Sequence, residues 1–189
     1  MNYVNILGYH GTVEKPEEII EKGKLNQKRI NFQSLPGDLG TGTYFFKEDP
    51  NLARCFIEKR YDSGKVNIIM CKINVEENEI LNFNNPGLLK AFNQFKEATL
   101  KNVKKTFKHL KGNRNCIDGI VINLMVQTIL KREQKNIKLV IRDTYTETNE
   151  YSYEKEGRKR FFISNFPNGT ELCVRDHTIV EEGVYCDEL

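Results

Sequence analysis

No stretch of this 189-residue chain stays apolar for the roughly 18 residues that a membrane-spanning helix needs, so a helical span is excluded. The opening MNYVNILGYHG has no basic segment ahead of an apolar core and does not read as a secretory signal. Cysteine is sparse and scattered: Cys55, Cys71, Cys116, Cys173 and Cys186 are odd in number and form no CxxC pair. That argues against a disulfide framework or a zinc site, so no metal is expected. A reducing cytoplasm is the compartment such usage fits, although an effector delivered by another route would look the same. Charge of one sign is also in short supply. Lys and Arg number 29 against 26 Asp and Glu, and a net charge of +3 does not name a nucleic acid as partner by itself.

What the chain does contain is enough for one globular domain spanning 1–189. The apolar share is 39% and the charged share 29%, a globular balance rather than a disordered one. Ile6–Tyr9 reads as a first strand ending at His10. Pro16 through Lys22 reads as a short helix closed by Gly23, and Leu25 to Gly42 as a long loop leading into a strand at Thr43–Phe46. Asp49-Pro50 opens a helix with Leu52, Ala53, Phe56 and Ile57 on one face. Val66–Val75 is rich in β-branched residues and reads as a strand. Asn85-Pro86 opens a longer helix that Gly112 closes.

Ile117–Leu130 is mostly apolar and ambiguous, and a strand running into a helix near Met125–Glu133 is one reading of it. Further strands are expected at Lys138–Arg142, Arg160–Asn165 and Glu171–Arg175, with a tight turn at Phe166-Pro167-Asn168-Gly169-Thr170. With no internal repeat and no linker, the order implies an α+β fold.

Two short motifs carry chemistry. Tyr9-His10-Gly11-Thr12 sets a histidine beside a glycine, and Gly40-Thr41-Gly42-Thr43-Tyr44-Phe45-Phe46 sets a tyrosine behind a glycine-rich turn. A flat, charged cofactor such as NAD needs an aromatic face, a ring nitrogen for a ribose hydroxyl, and glycines that let the backbone approach.

In these motifs the segment from Leu7 to Arg60 resembles the donor half of the diphtheria-toxin-like and poly(ADP-ribose) polymerase-like ADP-ribosyltransferases. Gly23 and Ala53 match further positions, and Thr170-Glu171-Leu172-Cys173-Val174-Arg175-Asp176 matches the late strand that an acidic residue opens. About half the chain is covered.

The resemblance implies two small packed sheets with an NAD cleft between them. It implies mono-ADP-ribosyl transfer from NAD, with NAD as donor substrate and no metal. His10 would hold a ribose hydroxyl, and the Gly11 backbone would hold the nicotinamide amide. Tyr44 would stack on the nicotinamide, and Glu171 would bond the ribose and stabilise the oxocarbenium ion. Thr12, Asp38 and Gly42 would complete the donor site, and Phe166 and Asn168 would contact the acceptor.

Small stand-alone members of this type include toxins of toxin–antitoxin or phage-defence systems, whose partner is an antitoxin, and secreted effectors. NAD glycohydrolysis would use the same three side chains. An inactive module binding NAD, ADP-ribose or nucleic acid is the reading of another class.

Three positions depart from the family pattern. Cys55 stands where a second stacking tyrosine is common, and Phe56 beside it is taken to fill that role. Leu52 stands where a nicotinamide-binding serine is common. Gly169, two residues before Glu171, replaces the Gln or Glu typical of members that modify arginine, which argues against an arginine acceptor. Glu181 and Glu182 rival Glu171 as the acidic residue, and Cys173 with His177 is the weak alternative of a thiol enzyme. Lys90, Lys96, Lys101, Lys104, Lys105, Lys108 and Lys111 populate the long helix with Glu97 alone opposing them. Gly157-Arg158-Lys159-Arg160 adds charge further on. Both tilt the expected acceptor toward RNA or DNA over protein.

Overall fold

The computed structural model describes residues 2–16, 19, 36–59, 61, 65–107, 117–148, 152–161, 164–181 and 184–186. The chain is α+β. Strands β1 (Tyr3–Thr12), β2 (Thr43–Lys47), β3 (Asn67–Glu76), β4 (Ile80–Asn82), β5 (Leu139–Thr144), β8 (Gly169–Val174) and β9 (Val184–Cys186) form one sheet in the order β4-β5-β8-β2-β1-β3-β9. The β4–β5 pair is parallel and every other neighbouring pair is antiparallel. Strands β6 (Ser152–Lys155) and β7 (Arg158–Phe161) form a separate hairpin. Its turn, Glu156-Gly157, has φ of 54° and 68°, the left-handed pair that a two-residue hairpin loop requires.

The expectation of two separate small sheets is corrected: pairing runs through all seven strands. The join is narrow, however. β1 pairs with β3 over ten residues but with β2 only at Gly8↔Lys47 and Tyr9↔Phe46. Beyond Tyr9, His10–Thr12 follow β3 while Thr43–Phe45 follow β8, so the two halves part between His10 and Tyr44.

Helix α1 (Pro50–Glu58) starts as the sequence implies. The Asp49 carboxylate accepts the Leu52 N–H at 2.9 Å, and Pro50 occupies the first turn, where its missing N–H costs nothing. Leu52, Ala53 and Ile57 are buried, and Phe46 and Ile68 join the first two in one cluster. Helix α2 (Pro86–Phe107) is capped in the same way: Asn85 Oδ1 accepts the N–H groups of Gly87 (2.8 Å) and Leu88 (3.2 Å).

The segment expected to begin as a strand at Ile117 is instead helix α3 (Asp118–Glu133). Its first half is buried on almost every side, from Gly119 through Asn123, so the amphipathic period that marks a helix is missing there. α2 and α3 pack together over one sheet face with Leu39, Phe83, Val140 and Cys173, while Phe45, Ile69, Ile73, Leu172 and Val174 fill the other face.

Of the strand expected at Arg160–Asn165, Arg160 and Phe161 belong to β7, Ser164 and Asn165 lie outside any strand, and residues 162 and 163 lie outside the described residues. β8 begins at Gly169, so the turn expected at Phe166–Thr170 yields its last two residues to the strand. Most of the helix expected at Pro16–Lys22, the loop through residue 35 and the Gly112 stop lie outside the described residues.

Candidate active site

The three motifs, far apart in sequence, occupy three adjacent strands, β1, β2 and β8. His10 Nδ1–H donates to the Tyr44 carbonyl at 2.8 Å, directly across the place where the halves part. Its ring, half-buried, lies 5.5 Å from the ring of Phe45. On the other side of β2, Glu171 pairs with Phe46 and Cys173 with Tyr44, so alternation sets Glu171, Cys173, Tyr44 and Phe46 on one face. Glu171 is only 6% exposed, an unusual environment for a carboxylate at a strand's start. Tyr9 shares the Phe46 face, and His10, its neighbour in β1, therefore leaves the strand on the opposite side. The histidine thus meets the tyrosine through the latter's main chain, and the glutamate flanks the tyrosine's side chain.

Tyr44 itself is locked. Its hydroxyl accepts the Leu39 N–H and donates to the Gly40 carbonyl, both at 2.9 Å. Burial raises its pKa far above the ordinary phenol value, so it remains a donor at every physiological pH. Gly37 is needed beneath it, since a Cβ there would sit 2.3 Å from the Tyr44 hydroxyl oxygen. Gly40, at φ +96°, closes a turn through its N–H to the Gly37 carbonyl at 3.0 Å.

Replacing Tyr44 by Phe keeps the ring but strands a donor and an acceptor. We expect a loss of about 2 kcal/mol in chemical denaturation. A variant as stable as the unaltered chain would contradict the lock.

Two residues that sequence reading passed over hold this turn from behind. Asn123 Oδ1 accepts the Thr41 N–H at 3.0 Å and Arg175 Nη1–H at 2.8 Å, while its Nδ2 donates to Thr41 Oγ1 at 2.9 Å. Burial pulls the Arg175 pKa down from its usual value. The available signal was a lone amide inside the apolar run Ile120–Val126, where a buried polar side chain must have partners.

Gly11 has a packing reason. A Cβ there would lie 2.5 Å from the Ala53 carbonyl oxygen in α1, which cannot move aside as a side chain could. Gly11→Ala is expected to cost about 3 kcal/mol, the upper range for overpacking, read as a lowered melting temperature. Gly42 is similarly constrained by the Val174 carbonyl at 2.4 Å. Thr12 is buried, and its Oγ1 accepts the Glu14 N–H at 3.0 Å, ending β1 in a turn. Asp38 lies in the Gly37–Gly40 turn. Phe56 packs edge-on against Phe46, with ring centroids 5.7 Å apart.

Two departures from the family pattern prove to be one. A Cβ on Gly169 would sit 2.1 Å from Leu52 Cδ1, so the leucine occupies the space that a side chain two residues before Glu171 would take.

The loop before β8 is held firmly. The Asn168 side chain accepts the Thr146 N–H at 2.8 Å and donates to the Thr146 carbonyl at 2.7 Å, and its own N–H donates to the Thr144 carbonyl at 3.0 Å. Asn168 therefore pins the loop, and Phe166, at 81% exposure, projects from it.

Cys173 is fully buried with its thiol pushed up to about 12 by burial, which is the opposite of what a nucleophilic thiolate requires. His177 is directed elsewhere, with Nε2 3.2 Å from Thr43 Oγ1.

The lysine helix is less one-sided than its own sequence suggests. Lys96 pairs with Asp118 of α3, while Lys90, Lys101 and Lys105 are exposed. No group of three or more potential metal ligands occurs, and no helix is long and apolar enough to cross a membrane, among the described residues. Comparisons with protein-family models, curated proteins and solved structures found no match.

Proposed function

We propose that the chain is a mono-ADP-ribosyltransferase using NAD as donor, and that the parted sheet corresponds to the split sandwich of such enzymes. The observation that carries this reading is the convergence of the His-Gly-Thr, Tyr and Glu motifs on adjacent strands where the halves separate, bridged by the His10–Tyr44 hydrogen bond. With Nδ1 donating, a neutral His10 ring has Nε2 as its acceptor, which is the polarity a ribose hydroxyl needs.

In the proposed step, the bond between the nicotinamide nitrogen and the ribose C1′ breaks and its electron pair leaves with neutral nicotinamide. The Glu171 carboxylate bonds the ribose and stabilises the positive charge left on the sugar. A nucleophilic atom of the acceptor then forms the new bond to C1′ and releases its proton. No enzyme nucleophile takes part, in keeping with the protonated Cys173.

Phe166 is assigned to the acceptor, a nucleic acid in preference to a protein. Incubation with adenine-labelled NAD and lysate tests both halves of the assignment. Phe166→Ala should keep its melting temperature while label in the macromolecular fraction, and the nicotinamide released with it, fall about tenfold, the scale of one lost aromatic–base stack. Equal transfer by both forms would remove Phe166 from the acceptor site. Label found only as free ADP-ribose would replace transfer by hydrolysis.

A further inference from the structure

The β6–β7 hairpin has two unlike faces. Its registers are Ser152↔Phe161, Tyr153↔Arg160, Glu154↔Lys159 and Lys155↔Arg158. Alternation places Tyr153, Lys155 and Arg160 on one face, and Ser152 and Glu154 on the other. Among the described side chains, the first face carries two basic residues and an aromatic that is 42% exposed, and the second carries the one acid. Lys155 and Arg160 are themselves exposed, so neither charge serves the core.

We propose that this face binds single-stranded nucleic acid, with the basic residues on the phosphates and Tyr153 as a stacking platform. A flat ribbon bearing cations beside an aromatic suits a strand of unpaired bases, because stacking accepts any base while cations follow the backbone. Binding at this face needs no NAD, so the claim stands or falls apart from the proposed enzyme activity.

Fluorescence anisotropy with a labelled oligonucleotide of about 16 nucleotides, as RNA and as DNA of the same sequence, tests it without NAD. The variants are Lys155→Glu with Arg160→Glu, Tyr153→Ala, and Lys101→Glu with Lys105→Glu on α2. The two double variants change net charge equally at exposed positions. The hairpin pair should weaken binding at least about tenfold and reduce the slope of log affinity against log salt by about 1.4, at 0.7 per cation. Tyr153→Ala should weaken it about tenfold, and the α2 pair should leave it unchanged.

Equal weakening by both double variants would reduce the effect to net charge and overturn the proposal. So would absence of binding to either oligonucleotide, or equal affinity for polyglutamate, which would point to an acidic protein instead.

Discussion

Glu171→Gln is expected to release nicotinamide from NAD at least about a hundredfold more slowly than the unaltered chain, with the folded structure retained by circular dichroism. The substitution conserves shape and removes only charge. Glu171 is 6% exposed, on the face of β8 shared with Tyr44 and Phe46, so its charge acts in a medium that screens it weakly. In the proposed reaction a cationic sugar forms beside it, and the carboxylate stabilises that charge. A purely structural glutamate would show its loss in melting temperature and leave release intact. Equal release by both forms would keep the enzyme and discard Glu171 as its acidic group, and Glu181→Gln would then be the next variant to measure.

Asn123→Leu is expected to cost about 3 kcal/mol, or about 10 °C in melting temperature for a chain of this size. Leucine keeps the branched outline of four side-chain heavy atoms but is bulkier, so some overpacking adds to the cost of the lost hydrogen bonds. The change leaves the Thr41 N–H unsatisfied and removes the acceptor for the Arg175 guanidinium, a charge already drawn away from water. Arg175→Met in the same background should recover part of the loss, because the uncompensated charge goes with it. A single variant that melts with the unaltered chain would contradict the role of Asn123 in holding the turn.

These two residues mark what could and could not be read from the chain. Caps and turns were legible because their signals are local: Asp49-Pro50 and Asn85-Pro86 start helices where expected, and β-branched runs mark β3 and β5. α3 was misread at its start because a helix buried on most sides loses the period that identifies it. β7 starts at Arg158, ahead of the expected Arg160, because its pairing with β6 across the turn decides that end, a pairing that composition does not reveal.

At the site, the residue types were legible but their geometry was not. Nothing in Gly-Thr-Gly-Thr-Tyr says that the tyrosine hydroxyl closes onto its own loop, or that Asn168 turns inward to hold Phe166 outward. The coupling of Leu52 to Gly169 is likewise a contact between segments remote in sequence. It is a steric exchange in which the leucine side chain takes the space beside the glycine.

The central claim is that this chain breaks the nicotinamide–ribose bond of NAD and passes the ADP-ribose to a macromolecule. Its most direct test is chromatographic measurement of nicotinamide from adenine-labelled NAD incubated with the purified, folded chain and lysate. The account predicts free nicotinamide matched by label in the nucleic-acid fraction, lost on nuclease treatment. NAD recovered intact after prolonged incubation, with lysate present and the protein still folded, would contradict it.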